Sequence, residues 1–347
     1  MSADPAPALQ HAIRQLAMGQ SLSELEARAA FGAVMAGNAT PAQMAALLVG
    51  LRVKGETADE VAGAADAMRG AMVRLAVERP DELVDTCGTG GGAVGTFNIS
   101  TAAALLAAGC GVRIAKHGNR SFTSQCGSAD VLEALGVSID VSPEVMEHAL
   151  RDAGIVFMFA PLMHPAMKHV GPVRRELSIP TVMNIVGPLA NPAGAGRQVV
   201  GVADARRVPL IAGALRALGT VHALVVHGEP GMDEVSPLGT THVVEIENGS
   251  VREWTIDPSK FGLGSGNADD LNGGPPAANA AAVRAVLDGS APPTATAAVL
   301  LNAAAAILVA PNGPRDFGEA VATARRGLED GAGLRALERL RGAMKPA

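Results

Sequence analysis

Three stretches of this 347-residue chain combine residue types that can act on a phosphorylated ligand. The first is Asp85-Thr86-Cys87-Gly88-Thr89-Gly90-Gly91-Gly92-Ala93-Val94-Gly95-Thr96-Phe97-Asn98-Ile99-Ser100-Thr101, after a predicted strand and before an Ala-rich helical run. Glycines permit positive φ and let the backbone approach a ligand closely. A helix start then aims N–H groups at an anion. Asn98, Ser100 and Thr101 add side-chain donors and acceptors, so the segment outlines an anion cradle. The second stretch, Lys116-His117-Gly118-Asn119-Arg120-Ser121-Phe122-Thr123-Ser124, places two or three cations and several hydroxyls in one turn after the second strand. Gly127-Ser128-Ala129-Asp130 then opens a helix, with Ser128 as its cap or as an anion contact. In the third, a strand ending at Gly228 leads to Asp233-Glu234. Adjacent carboxylates beyond a strand's C-terminal end suit a hard cation with oxygen ligands.

Each stretch alone also reads as a tight turn or a solvated charged loop. Two such loops after successive strands fit the crevice where α/β sheets bind ligands, which favours a site. Gly90, Gly92 and Gly95 also satisfy the dinucleotide pattern G-x-G-x-x-G. That fold wants an acidic residue after its second strand to hold the ribose hydroxyls. Here the second strand is read as ending at Lys116, a cation. No G-K-[ST] follows the glycines, which excludes a Walker A loop.

The elements that must position these residues fall into two groups. The first seventy-odd residues read as short helices opened by the capping boxes Ser23/Glu26, Thr40/Gln43 and Thr57/Glu60. Pro41 suits a first helical turn, and Met44, Leu47, Leu48 and Leu51 recur at helical spacing. From Leu83 onward, β-branched runs (Val112–Ala115, Ile155–Phe159, Val199–Val202, Ala223–Val226) alternate with helical patterns. That alternation predicts a mostly parallel sheet covered by helices. Val243–Ile246 and Val251–Trp254, joined through Asn248-Gly249, predict a hairpin. Residues 262–277 are Gly-, Asn- and Pro-rich and predict an irregular loop, and 279–344 predict helices. The expected fold class is α/β, with a small N-terminal all-helical domain (1–76) and a larger α/β domain (77–347). Helices around 165–190 are expected to join the small domain in space.

Hydrophobic residues make up 48% of the chain and aromatics only 2%, with no Tyr and one Trp. The core must therefore be aliphatic, built from Ala, Val, Leu, Ile and Met. A net charge of -6 argues against a general affinity for nucleic acid. The three cysteines have no metal-type spacing, and their odd number suits reduced thiols of a cytoplasmic protein. The N-terminus has no signal-peptide pattern, and the apolar run Ala303–Ala310 is too short to span a bilayer, so no membrane partner is expected.

Taken together, Gly88-Thr89-Gly90-Gly91, Thr96–Thr101, Lys116–Ser121 and Gly127–Asp130 resemble the signature of the anthranilate phosphoribosyltransferases. So do Ala39–Gln43, Leu51–Thr57, His164–Met167, Pro172–Leu177 and Asn184–Pro192, so the likeness runs in order along nearly the whole chain. The resemblance implies a nucleoside phosphorylase/phosphoribosyltransferase-like fold. It implies transfer of phosphoribosyl from 5-phosphoribosyl 1-diphosphate to the amine of anthranilate, in tryptophan biosynthesis. It assigns the diphosphate donor to Gly88, Gly91, Gly92, Thr96, Asn98, Ile99, Ser100, Thr101, the segment Lys116–Ser124, and Ser128. It assigns anthranilate to Gly88, Asn119, His164 and Arg174, and magnesium, as two ions, to Ser100, Asp233 and Glu234. A guanidinium can hold a carboxylate bidentately as a lysine cannot; on the residues alone, Arg174 also reads as a surface ion pair with a neighbouring acidic residue. The amine is uncharged near neutral pH, so no general base is needed and none is assigned, with His117 the one candidate. A homodimer joined through the helical domain is implied as well.

Two positions depart from the family pattern: Gly92 stands where an aspartate is usual, and Pro180 where an arginine is common. Two rival readings are a pyrimidine nucleoside phosphorylase and a non-catalytic, nucleic-acid-binding relative. The first would carry a Ser-Gly-Arg-type segment in place of Lys116–Arg120, and the second should show a strongly basic surface.

Overall fold

The computed structural model describes residues 6–121, 125–264 and 266–345. Four helices come first: α1 (Ala6–Ala17), α2 (Glu24–Met35), α3 (Pro41–Lys54) and α4 (Ala58–Ala71). Strands β1 (Val84–Gly88), β2 (Ile114–Gly118) and β3 (Ile155–Phe159) then alternate with α5 (Ile99–Gly109), α6 (Ser128–Ala134) and α7 (Pro143–Ala153). Helices α8 (Ala160–Met163) and α9 (Met167–Leu177) lead to β4 (Arg197–Gly201), α10 (Val208–Ala217) and β5 (His222–Gly228). The strands β6 (Thr241–Glu247) and β7 (Ser250–Ile256) precede α11 (Pro276–Leu287), α12 (Pro293–Val309), α13 (Phe317–Glu329) and α14 (Ala332–Ala343).

The chain divides into two compact units. One comprises Met1–Val73, Pro161–Pro192 and Pro209–Gly219; the other comprises Arg74–Ala160, Ala193–Val208 and Thr220–Ala347. In the helical unit all three capping boxes form, with each N-cap hydroxyl and its partner three residues on exchanging hydrogen bonds with backbone N–H groups. The Glu60 box reaches beyond its own helix. Its fully buried carboxylate accepts from Thr57 N (2.8 Å), Leu22 N (2.8 Å) and Lys54 Nζ (2.9 Å). One carboxylate thus ties the approach to α2, the end of α3 and the start of α4.

The larger unit is built on a seven-stranded sheet of order β3-β2-β1-β4-β5-β6-β7. Strands β1 to β5 run parallel, and β6 and β7 extend the sheet antiparallel. Parallel strands must be covered on both faces, which explains their Val- and Ile-rich runs. Helix α12 packs on α5, α13, β1, β4 and β5. It is buried from Thr294 to Val309 except at Thr296, as its Ala- and Leu-rich sequence requires. The direction of winding reverses between β1 and β4, where loops leaving neighbouring strand ends diverge and open a crevice. The β6–β7 hairpin turns at Asn248 (φ 48°) and Gly249 (φ 81°), the paired left-handed residues of a two-residue turn. No helix among the described residues is long and apolar enough to cross a membrane.

Three local expectations change. Strand β2 continues to Gly118, so Lys116 and His117 are strand residues and not part of a turn. Their polar side chains disguise a strand whose partners lie far away in the sequence. Strand β1 likewise already contains Asp85–Gly88, which the sequence places after the strand. Within the expected irregular loop 262–277, Ala268–Leu271 forms a 3-10 turn capped by Asn267, and α11 already begins at Pro276.

The Glu60 network predicts a large stability effect in the helical unit. Glu60→Ala is expected to cost about 3–5 kcal/mol in urea unfolding, because Lys54 and two buried N–H groups lose their acceptor. Asp66→Ala, which removes the exposed pair with Arg28, is expected to cost less than about 1 kcal/mol.

Candidate active site

The site of the larger unit is built where the winding reverses. Strands β1 and β4 end in register at Gly88 and Gly201, and the segment after β5 lies across both ends. A Cβ on Gly201 would stand 1.7 Å from the Asp233 carbonyl oxygen, and one on Gly88 2.7 Å from Asp233 Oδ2. Only glycine at both strand ends lets Asp233 occupy this position. The glycine loop then turns through Gly90 (φ 70°) and Gly91 (φ 77°). Gly90 N donates to Asp233 Oδ2 at 2.8 Å, and Thr89 N donates to Gly201 O at 2.9 Å. The N–H groups of Gly91 and Gly92 have no protein acceptor among the described residues, so the cradle presents open donors.

Helix α5 begins at Ile99, and the backbone N–H of Ser100 acts on the Glu234 carboxylate to lower its pKa. From the adjacent strand the buried Lys116 Nζ donates to Thr86 O, to Thr86 Oγ1 (3.3 Å) and to Ser100 Oγ (3.3 Å). Thr86, Ser100, Asp233, Glu234 and Asn302 line one small cavity. Asp233 and Glu234 are partly accessible as residues, but their carboxylates sit in a dense shell of protein atoms. Burial pushes the Glu234 carboxyl well above the carboxylate range; Asp233 adds to this and Lys116 opposes it. Burial also raises Asp233, against the Gly90 N–H. Burial lowers the Lys116 ammonium, against Asp85, Cys87 and Glu234. Two carboxylates and a hydroxyl are the oxygen donors a hard divalent cation takes, so these residues fit magnesium.

Strand alternation sends His117 to the opposite face from Lys116. His117 N donates to Asp85 Oδ1 at 3.2 Å. In the second loop Asn119 O accepts from Ala129 N (3.2 Å) and Ser128 Oγ (3.3 Å). Ser128 is not the cap of α6. Gly127 occupies the N-cap, and the Asp130 carboxylate accepts its N–H at 2.8 Å and that of Ser121 at 3.3 Å. The exposed Arg120 is committed to α6 through Glu133 (3.0 Å) and Asp130 (2.8 Å), and the structure does not bring it to the carboxylate cavity. Asn98 Oδ1 accepts from Asn279 Nδ2 (2.8 Å) while its Nδ2 donates to Cys126 O (3.3 Å), which joins the two loops. Thr96 bridges to Asn272, and Ile99 and Thr101 are buried in the first turn of α5. Phe122, Thr123 and Ser124 lie outside the described residues.

The sequence reading missed Thr86, Asn279 and Asn302. Asn302 had a signal, a lone amide in the middle of an apolar helix. At the opposite end of β5, His222, Glu245 and Glu247 also cluster. There Glu245 already accepts from His222, Arg252 and Trp254, the bonding of a structural carboxylate.

His164 and Arg174 belong to the helical unit. His164 is buried, and burial pushes its pKa down to about 4 against a hydrogen bond with the Ala190 backbone. Arg174, on α9, is partly buried, which lowers its pKa. No carboxylate among the described residues lies within ion-pair distance of its guanidinium, so the surface-pair reading of Arg174 is not realised.

Family profiles match both parts of the chain: a glycosyl transferase family helical bundle domain over residues 10–72, and the a/b domain of that family over 80–334. The anthranilate phosphoribosyltransferase of Anaeromyxobacter dehalogenans is 50% identical over 332 residues, covering 96% of this chain and 97% of the relative. The chain belongs to the anthranilate phosphoribosyltransferase family. The Thermus thermophilus family member superposes with a TM-score of 0.90 at 43% identity, covering 96% of this chain and 99% of that one. The Saccharomyces cerevisiae member, 27% identical with a TM-score of 0.86, has been solved in complex with PRPP and Mg and, separately, with 4-fluoroanthranilate. Those structures cover 97% and 98% of this chain and 98% of the yeast chain. Half-identity to a family member over nearly the full length sets aside the pyrimidine nucleoside phosphorylase reading.

His164 makes stability depend on pH. Its folded pKa of about 4 lies below the ordinary value of 6.5, so the unfolded chain binds the extra proton between those values. The contribution is present above pH 6.5 and is lost as pH falls towards 4, worth about 3 kcal/mol at most. His164→Asn is expected to flatten this part of the stability profile in urea unfolding measured from pH 7 to pH 4.

Proposed function

We propose that this chain transfers the phosphoribosyl group of 5-phosphoribosyl 1-diphosphate to the amine of anthranilate, releasing pyrophosphate, as a step of tryptophan biosynthesis. The observation that carries this reading is the paired carboxylates Asp233 and Glu234, fixed beneath a glycine loop with open N–H donors and beside Ser100 and the buried Lys116. The yeast family member's complexes with PRPP and Mg and with 4-fluoroanthranilate support the same substrate classes.

In this reading the glycine loop (Gly88, Gly91, Gly92), Thr96 and the start of α5 (Asn98, Ile99, Ser100, Thr101) take the diphosphate. Lys116, His117, Gly118, Asn119, Arg120, Ser121 and Ser128 hold the rest of the donor. Asp233, Glu234 and Ser100 would hold magnesium, as two ions, which when bound supplies positive charge against the leaving diphosphate. Lys116, held on Thr86 and Ser100 by three hydrogen bonds, aims its charge at the same place. The C–N bond forms at the anomeric carbon as the C–O bond to diphosphate breaks, and oxocarbenium-like charge builds on the ribose. Fixed N–H donors act on the departing oxygens without reorganising, the usual strength of a preorganised site. The amine attacks as the neutral base and sheds its proton afterwards. Positioning therefore does most of the work, with no side chain as general base. Arg174, partly buried and without a carboxylate partner among the described residues, holds the anthranilate carboxylate, and Gly88, Asn119 and His164 complete the acceptor's contacts. The proposal includes a homodimer formed through the helical unit, where Met18, Leu25 and Val53 are exposed apolar side chains.

The decisive experiment follows anthranilate fluorescence. Consumption is expected only with both donor and magnesium present, and an unchanged signal with both overturns the reading. In the same assay Arg174→Lys is expected to raise KM for anthranilate about tenfold or more while donor KM stays unchanged, because the bidentate pair is lost. Gly92 supplies a second check. A Cβ there would stand 3.2 Å from Asp233 Oδ1 and 3.2 Å from Gly231 O. Gly92→Asp adds a carboxylate beside the pair and is expected to lower the magnesium needed for half-maximal rate by about threefold to tenfold. Unchanged magnesium and donor dependence in this variant would refute a role for position 92.

A further inference from the structure

Helix α12 is apolar over Ala297–Val309 except at a single point. Between Leu301 and Ala303 stands Asn302, 5% exposed, in a helix otherwise made of Ala, Val, Leu and Ile over Ala297–Val309. A buried amide is costly unless its hydrogen-bonding groups are used. Here they are. Asn302 Oδ1 accepts from Val235 N at 2.9 Å, and Nδ2 donates to Val235 O at 2.9 Å and to Ala298 O at 2.8 Å. One side chain grips both backbone groups of one residue, as a neighbouring strand would, and so fixes the position and the orientation of that peptide.

The gripped residue directly follows Glu234. On the other side of the carboxylate pair, Met232 is anchored by reciprocal bonds with Gly228, N to O at 2.7 Å and O from N at 3.0 Å. Asp233 and Glu234 are thus the only two residues between a backbone bridge and a side-chain clamp. A two-residue segment held at one end only could turn its peptides and swing one carboxylate away, whereas bonds at both Met232 and Val235 fix the backbone on either side of the pair. Asn302 also lines the cavity that Asp233 and Glu234 line.

We infer that Asn302 is a positioning residue, holding Asp233 and Glu234 convergent so that their site is preformed for a divalent cation carried with a diphosphate group. The inference rests on the proposed reading of the carboxylate pair as the cation site. Preorganisation of this kind acts on affinity, because the ordering has been done before the ligand arrives.

The test is Mn2+ binding in the presence of pyrophosphate, read by electron paramagnetic resonance, together with the magnesium dependence of the reaction. Asn302→Leu keeps the volume and removes the amide. It is expected to weaken Mn2+ binding and raise the half-saturating magnesium by about tenfold or more, while kcat at saturating magnesium changes less than about threefold. Asn302→Thr, whose hydroxyl can still bond the Ala298 carbonyl, should weaken binding likewise and serves if the leucine variant does not fold. Val299→Ala, buried on the same helix, controls for general loss of stability and should leave cation binding within about twofold. Cation affinity untouched in the Asn302 variants, or weakened as much by Val299→Ala, overturns the inference. If Asp233→Asn leaves Mn2+ binding intact, the underlying reading of the site fails instead. Hydrogen exchange at the Val235 amide of the unaltered protein reads the clamp directly: protection like that of the central strands is expected, and exchange at loop rates overturns it.

Discussion

Two carboxylates held side by side inside a protein are the constraint on which the larger unit depends. Burial favours the neutral forms of Asp233 and Glu234, and Asp233 adds to this for Glu234. The surroundings oppose this with groups drawn from three neighbouring elements. Gly90 N comes from the loop after β1, Ser100 N from the first turn of α5, and the Lys116 ammonium from β2. The bare ends of β1 and β4 make room for the segment. Such an arrangement is poorly suited to an empty interior and well suited to receiving positive charge, which is why the winding reversal of the sheet, with its diverging loops, is the natural place for it.

Local features of this architecture, and the alternation that makes its sheet mostly parallel, were legible in the sequence, while strand ends and side-chain partners set by distant residues were not. The capping boxes at Ser23, Thr40 and Thr57 involve residues three apart, so the pattern carries the geometry. The hairpin at Asn248-Gly249 is likewise set by two residues able to take positive φ. Strand β2 was read too short because Lys116 and His117 look like loop residues until Thr86, Ser100 and Asp85 are brought alongside. The ion pairs of Arg120 were not legible for a related reason. Its partners Asp130 and Glu133 are close in sequence, but only the first turns of α6 bring their carboxylates onto one face.

The near absence of aromatics has a structural counterpart. Helix α12 packs on both α5 and three strands with little beyond Ala, Val and Leu, so backbones approach closely and small changes in volume are felt directly. A core of this kind leaves few large side chains to orient the functional groups. Orientation falls to hydrogen bonds: Glu60 in the helical unit, Asn98, Asn279 and Asn302 in the larger one. Arg174 and His164 stand apart from this pattern, since burial alone dominates the state of each.

The Asn98 amide has an implication for motion. Because it bonds Asn279 on α11 through its oxygen and the Cys126 carbonyl through its nitrogen, the loop after β1 and the loop after β2 share a hinge pin. One hydrogen bond links the two loops, and a second links them to α11. The Asn98 and Cys126 positions are therefore coupled through a single side chain, and a change as remote as the first turn of α11 bears on both.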